Sequence, residues 1–337
     1  MLSKDQVIDR LRQALKLKGR DWKTLDSYAR TAGHYYDFAL KHGACKTSEQ
    51  IAEAFLTMRV TRDNVAASTQ NHDLMALIAL YDSQGKKLGN VDALRAKKPR
   101  YERHCPSREE VVQLVNALHD TPAVPARFVA LWLYGCGLRV NEGLEVRLKD
   151  VRLSEGKLVL RAPKHGHDRV VKLPEILHAA VRRQMDYAKL VFEQDQARTP
   201  ALPLQVPGAL ARKYPRAPHS LGWAFLFPSH KPLRLPGKGP LVRWHLPDWT
   251  IQQAFARACD EANIVARITP HCLRHAFGTH FTGDIRDLQA ILGHKSLETT
   301  QTYRHPHVER TRSPLEDLPV AIAGNVVAFA EPNRGVA

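Results

Sequence analysis

Long apolar runs are missing from this chain of 337 residues, and none approaches the ~20 residues that a membrane-spanning helix needs. No secretory leader is legible either, because the opening MLSKDQVIDRLRQALK mixes charges from residue 4 onward. These two absences predict a soluble, cytoplasmic protein with no membrane partner. Cysteine is scarce. The five present (Cys45, Cys105, Cys136, Cys259, Cys272) have no paired spacing, which argues against a disulfide framework and against structural zinc. His271 and His275 stand four apart, yet Cys272 occupies the place where the zinc-protease pattern H-E-x-x-H needs its glutamate. No metal or other cofactor is expected.

Acidic residues are also in deficit, with 34 Asp+Glu against 50 Lys+Arg and a formal net charge of +16. Residues 1–100 hold 18 Lys+Arg against 11 Asp+Glu, and the remainder holds 32 against 23. Both halves are basic, so a polyanion touched by both is the economical reading, and nucleic acid comes first. A merely solvated basic surface has the same composition, so charge alone does not decide.

The chain's length, with 44% hydrophobic residues, favours two domains. Ser3 and Gln6 form a capping box ahead of Val7, Ile8, Leu11 and Leu15 at helical spacing. A second helix is predicted from Trp22 to Lys41, with Leu25, Tyr28, Ala29, Ala32, Tyr36 and Ala39 on one face. Thr47 and Gln50 cap a third carrying Ile51, Ala54 and Phe55. A fourth runs from near Ser68, with Leu74, Leu77, Ile78 and Tyr81 inward, and stops at Gly85. Residues 94–106, LRAKKPRYERHCP, then read as an extended basic linker, and the domain boundary is placed at residue 102.

Beyond it, Ser107 and Glu110 form another capping box, and a helix from Pro125 to Tyr134 ends at Gly135-Cys136-Gly137. The period then changes to two. VRLSEGKLVLRAPKHGHDRVVKLP reads as strands turning at Glu155-Gly156 and His165-Gly166, followed by a long helix from Pro174 to Gln196. Residues 199–247 hold 10 of the 21 prolines along with Tyr214, Trp223, Phe225, Phe227 and Trp244, a composition that marks a functional or disordered insertion. Helices resume at Asp248–Asn263, Pro270–Phe281, Asp284–Leu292 and Ser296–Tyr303, and residues 321–337 read as a loose tail. The expected fold is mainly α with a small antiparallel β-sheet: a helical N-terminal domain over 1–102 and a second domain over 103–320.

Four segments concentrate polar groups beside glycine or proline: Gly137–Glu142 (GLRVNE), Pro163–Arg169 (PKHGHDR), His271–His275 (HCLRH), and Leu292–His294 (LGH) with Tyr303 beyond it. From them come two arginines (Arg139, Arg274), a lysine (Lys164), two histidines (His271, His294) and a phenol (Tyr303), a selection suited to phosphoryl transfer without metal. Guanidinium forks neutralise charge on the non-bridging oxygens of a phosphodiester transition state. Arg139 follows a glycine break, and Glu142, three residues on, could hold it in place. Lys164 at a turn tip is a candidate general acid for the leaving 5′-oxygen. Tyr303 would be the nucleophile, its proton taken by His271 or through water, with Arg274 on the phosphate and His294 bonded to it.

Order and spacing are more specific than any one of these residues. Arg, Lys in a hairpin, H-x-x-R, L-G-H, then Tyr nine positions after His294 resembles the tyrosine recombinase (phage integrase) family from about residue 20 to 318. The resemblance implies an N-terminal core-binding (SAM-like) domain and a catalytic domain that close on duplex DNA. It implies a homotetramer in the synaptic complex, and a site of Arg139, Lys164, His271, Arg274, His294 and nucleophilic Tyr303, with Glu142 in support. Ala209–Pro215 (ALARKYP), Gly222–Ser229 and Arg312–Leu318 (RSPLEDL) further resemble integron integrases, whose proline-rich addition contacts bases flipped from folded single-stranded sites. That resemblance makes Trp223, Phe227 and Tyr214 stacking faces and Arg212, Lys213 and Arg216 phosphate contacts, with Lys97, Lys98 and Arg100 of the linker on the DNA backbone. Two departures stand out: Leu221 where W-G-W is common, and a short HFTG between Thr279 and Asp284. The rivals are an integrase acting on duplex sites only, a type IB topoisomerase, and a relative that binds DNA without cutting it.

Overall fold

The computed structural model describes residues 2–96, 104–161, 168–235, 239–293 and 313–318. Lys97, Lys98, Arg100, Lys164, the His165-Gly166 turn, His294, the helix expected over 296–303 with Tyr303, and the tail at 321–337 lie outside them. The chain divides into two compact units, Met1–Glu102 and Arg103–Ala337. No helix among the described residues is long and apolar enough to cross a membrane.

The first unit is a four-helix bundle of α1 (Lys4–Leu17), α2 (Trp22–His42), α3 (Ser48–Thr61) and α4 (Ala67–Ser83). The capping boxes at Ser3/Gln6 and Thr47/Gln50 both form, so each helix starts where its side chains satisfy the orphan N–H groups. Val7, Leu11, Leu15, Leu25, Ala32, Tyr35, Phe55, Leu56, Leu77 and Leu80 make the core. Two faces are rotated from expectation. In α4 the buried set is Gln70, Asp73, Ala76, Leu77 and Leu80, while Ile78 and Tyr81 are only half-buried. The cause is polar: Asp73 accepts from Thr31 Oγ1 (2.9 Å) and Arg59 Nε (2.9 Å), and Gln70 Nε2 donates to the Leu94 carbonyl (2.6 Å). Buried polar groups with full partners can displace aliphatics from the inner face. In α2, Tyr35 is buried in place of Tyr36, its hydroxyl 2.7 Å from that of Tyr81. The predicted linker also starts late, because the backbone N–H groups of Gly89, Asp92, Leu94 and Ala96 donate to Glu49, Glu53, Thr57 and Gln70.

The second unit is built around α6 (Ala126–Cys136), a helix buried along its whole length. It runs two residues beyond the predicted end at Tyr134. Gly135 stands inside the helix without a side chain because Leu315 packs where a Cβ would be, 2.6 Å away, and Ser313 Oγ donates to the Gly135 carbonyl at 2.6 Å. Gly137 ends it in the left-handed region (φ 62°), where the Phe277 ring would lie 2.8 Å from any Cβ. Around α6 pack α5 (Arg108–Ala117), α7 (Val140–Leu144), α8 (His178–Gln196), α10 (Asp248–Glu261), α11 (Pro270–His280) and α12 (Ile285–Leu292). A three-stranded antiparallel meander, β1 (Val151–Arg152), β2 (Lys157–Leu160) and β3 (Arg169–Lys172), pairs Val151 with Leu158 and Leu160 with Arg169. The fold is mainly α with small antiparallel sheets.

The proline-rich segment is ordered where described. It carries α9 (Gly208–Lys213), short 3-10 turns and a two-stranded ribbon, β4 (Leu233–Arg234) with β5 (Leu241–Val242). Several contacts hold it to the core. Buried Arg243 forks onto buried Asp195 of α8 (2.6 and 2.6 Å), and Gln184 Nε2 donates to the Leu226 carbonyl (2.9 Å). Leu226 N–H donates to Val146 (2.8 Å) and Leu148 N–H to Ala224 (2.9 Å), which joins the segment to the chain leaving α7.

Candidate active site

The site begins at the glycine that stops α6. Gly137 turns the chain so that Leu138 is buried and Arg139 becomes the N-cap of α7, three residues before Glu142. The Glu142 carboxylate reaches back, accepting the Arg139 backbone N–H (3.1 Å) and its guanidinium (2.6 Å). Two more guanidiniums converge on the same carboxylate. Arg169, the first residue of β3, donates from Nη2 to Oε2 (2.7 Å) and from Nη1 to Oε1 (3.3 Å), and Arg274 of α11 brings Nη1 within 3.5 Å of Oε2. Burial by itself would raise the Glu142 pKa. The bonds and charges of Arg169, then of Arg139, outweigh it and hold the carboxylate at about 2. The group is ionised at every working pH.

Arg274 is buried, with Nη1 donating to the Gly137 carbonyl (2.8 Å) and Nη2 to the Leu292 carbonyl. Burial, and then the Arg139 charge, lowers its pKa to about 10, so it remains cationic at neutral pH. Arg139 is the more accessible of the pair, with its side chain 41% exposed. His271 lies exposed one turn before Arg274 on α11, its ring 6.0 Å from that of exposed His275. Leu292 closes α12, and Gly293 caps it in the left-handed region (φ 61°), so the L-G-H segment is described up to the residue before His294. Among the described residues, no three His, Cys, Asp or Glu side chains form a group fit to hold a metal ion.

The structure therefore brings Arg139, Glu142 and Arg274 together, with His271 one turn before Arg274 on α11, while Lys164, His294 and Tyr303 lie outside the described residues. Sequence reasoning missed Arg169. It sits in the quoted PKHGHDR segment, but its partners are Glu142, 27 residues away, and the Ile291 carbonyl, 122 residues away (2.9 Å). No local pattern could have announced it.

On the proline-rich segment, Arg212, Lys213, Tyr214 and Arg216 are exposed and Trp223 is half-buried, its ring 5.9 Å from that of Tyr214. The expected stacking role of Phe227 is overturned. That ring is 1% exposed and packs against Phe128 (5.6 Å) and Trp132 (6.1 Å) in the core. Lys149 and Arg147 were missed as well. The Lys149 ammonium sits 2.9 Å from the Trp223 ring centroid, and the Arg147 guanidinium lies 5.4 Å from that centroid and 4.1 Å from that of Phe225.

The model of the phage integrase family matches residues 107–310, and the phage integrase N-terminal SAM-like domain matches residues 7–87. An Escherichia coli protein named integrase/recombinase is 35% identical over 326 residues, covering 93% of this chain and 94% of that protein. The chain belongs to the phage integrase family. Tyrosine recombinase XerA of Thermococcus onnurineus is 26% identical over 323 residues, covering 93% of this chain and 95% of that protein. A lambda integrase tetramer bound to a Holliday junction shares the fold, with a TM-score of 0.54 and 17% identity over 90% of this chain and 81% of that one. This member of the family is a site-specific tyrosine recombinase, an enzyme that cuts and rejoins DNA. The bundle of α1–α4 is its SAM-like domain.

Proposed function

We propose that this recombinase is of the integron-integrase kind and works through a covalent 3′-phosphotyrosine intermediate on Tyr303. The observation that supports the chemistry is one ionised carboxylate, Glu142, facing three guanidiniums, which leaves positive charge in excess where a phosphodiester must bind. Arg139, the accessible cation, meets the non-bridging oxygens first. Arg274 spends one N–H on each of two carbonyls, and a guanidinium with five N–H groups keeps donors for an anion. Glu142 supports both by holding them. Tyr303 attacks phosphorus, forming the O–P bond as the 5′-oxygen leaves. His271, directly or through water, takes the phenol proton, Lys164 protonates the leaving oxygen, and His294 bonds the scissile phosphate.

The partners are DNA recombination sites. Lys97, Lys98 and Arg100 contact the DNA backbone, and recombination proceeds in a homotetramer like that of the related lambda integrase on its junction. The integron reading rests on the fastened proline-rich segment with its exposed Arg212, Lys213, Tyr214 and Arg216 beside Trp223. A duplex-only integrase is the second reading, favoured by the burial of Phe227 and by Lys149 over the Trp223 ring. An incoming base must displace that ammonium, a cation–π contact worth about 0.5–1 kcal/mol at an exposed site. Base stacking is worth roughly 1–3 kcal/mol, so the exchange still favours the base.

Competition binding with a bulged single-stranded hairpin, the same hairpin without bulges, and the duplex tests the choice. Trp223→Ala is expected to weaken the bulged hairpin alone, by about 2- to 30-fold for a net of about 0.5–2 kcal/mol. Equal weakening of all three ligands makes Trp223 a packing residue and leaves the duplex-only reading.

A further inference from the structure

We infer that Arg169 is a positioning residue for strand cleavage, fastening the hairpin that carries Lys164 to the turn that leads into His294. Its guanidinium makes contacts on two sides. Nη1 and Nη2 fork onto Glu142 (3.3 and 2.7 Å), and Nε donates to the Ile291 carbonyl (2.9 Å) in the last turn of α12. That carbonyl is one the helix leaves without an internal partner, and a cation there also suits the negative end of the helix. The next carbonyl, of Leu292, is taken by Arg274. The two guanidiniums thus hold the same helix end, and one carboxylate counters both.

Gly293 fits the same arrangement. Besides its left-handed φ of 61°, a Cβ at this position would lie 3.3 Å from Arg169 Nη1 and 3.4 Å from its Cδ. The side chain of Arg169 thus packs directly on Gly293, the residue before His294. On its other side Arg169 is paired in register with Leu160 across the hairpin. One residue further towards the tip, Arg161 Nη1 donates to Asp168 (2.6 Å), and Arg161 Nε donates to buried Asp150 (3.0 Å). Both legs are therefore anchored just before residues 162–167, which include Lys164. The side chain of Arg169 is 17% exposed, so it is built into the structure and is not a surface charge.

The charged groups facing Glu142 are Arg139 from α7, Arg169 from β3 and Arg274 from α11. Of these, Arg169 alone comes from the hairpin. Removing it leaves Arg139 and Arg274 on Glu142 and takes away the hairpin's charged tie to that carboxylate and to the end of α12. The consequence should be a fault of geometry at the leaving oxygen, and misplacement of a catalytic group by about 1 Å costs on the order of 100-fold.

This inference rests on the proposed role of Lys164 as general acid, and the experiment separates the two. Single-turnover cleavage at saturating enzyme and DNA affinity are measured for Arg169→Lys and Arg169→Ala, with Lys164→Ala alongside. Each is run on the ordinary substrate and on one whose bridging 5′-oxygen is sulfur, which needs little protonation to leave. Arg169→Lys keeps the charge, but one ammonium cannot fork onto Glu142 and reach Ile291 as well. It should cleave about 10-fold or more slowly while binding DNA within about threefold, and the sulfur substrate should restore most of its rate. Arg169→Ala should show the same pattern more strongly. Cleavage by Arg169→Lys within about twofold of the parent overturns the inference, and so does an equal deficit on both substrates. If Arg169→Ala fails to fold, the Lys variant carries the decision alone. A Lys164→Ala enzyme that stays inactive on sulfur removes Lys164 as the acid, and the hairpin coupling then falls with it unless Arg169→Lys is itself rescued.

Discussion

Replacing Glu142 with glutamine keeps the shape of the side chain and removes the one negative charge among three guanidiniums. In the fold its pKa is held at about 2, against the ordinary 4.5, and each unit is worth about 1.4 kcal/mol. The ionised carboxylate therefore contributes on the order of 3 kcal/mol to the second unit at neutral pH. Its side chain is only 21% exposed, so solvent screening takes little from that figure. For a unit of this size the loss corresponds to a fall in Tm of roughly 6–12 °C. The pH dependence supplies a sharper test. A depressed carboxylate pKa gives stability that is fully present above about 4.5 and is lost as pH falls through about 2. Glutamine does not titrate. The gap between parent and Glu142→Gln should be full at pH 7 and shrink to less than half by about pH 3. Denaturant unfolding at the two pH values, followed by a probe in the second unit, measures it. A gap below about 0.5 kcal/mol at pH 7, or one that is constant with pH, would refute the hub role of Glu142.

Two further outcomes follow from the same cluster. Arg139→Ala should slow single-turnover cleavage by about 100-fold or more while DNA affinity falls far less, because one preorganised donor is lost among many phosphate contacts; parallel rate and affinity measurements check it, and cleavage within a few-fold of the parent would show that the clamp is misassigned. Strand cleavage should persist in excess chelator, since guanidiniums supply the charge neutralisation, and loss with EDTA that added metal restores would overturn that mechanism.

Much of the scaffold is legible locally. Ser3/Gln6, Thr47/Gln50 and Ser107/Glu110 announce helix starts because a capping box is a contact three residues long, and all three form. The four-helix N-terminal unit and the β-meander follow from periodicities that need no partner to be seen. The end of α6 was harder. Gly135 looks like a breaker, and the close approach of Leu315 from 180 residues away explains why a glycine stands inside the helix. Phe227 sits among prolines and reads as a loop aromatic, yet Phe128 and Trp132 draw it into the core. The motif residues Arg139, Glu142, His271 and Arg274 could be chosen from spacing. Arg169 and Lys149 could not, because their roles consist of contacts to distant backbone and to a ring that no nearby residue implies.

The central claim is that this recombinase cuts DNA with Tyr303, and trapping the protein–DNA adduct on a nicked suicide substrate tests it most directly. The parent enzyme should accumulate a covalent 3′-linked adduct, and Tyr303→Phe should bind the same substrate with similar affinity and form none. An adduct formed by Tyr303→Phe would contradict the account.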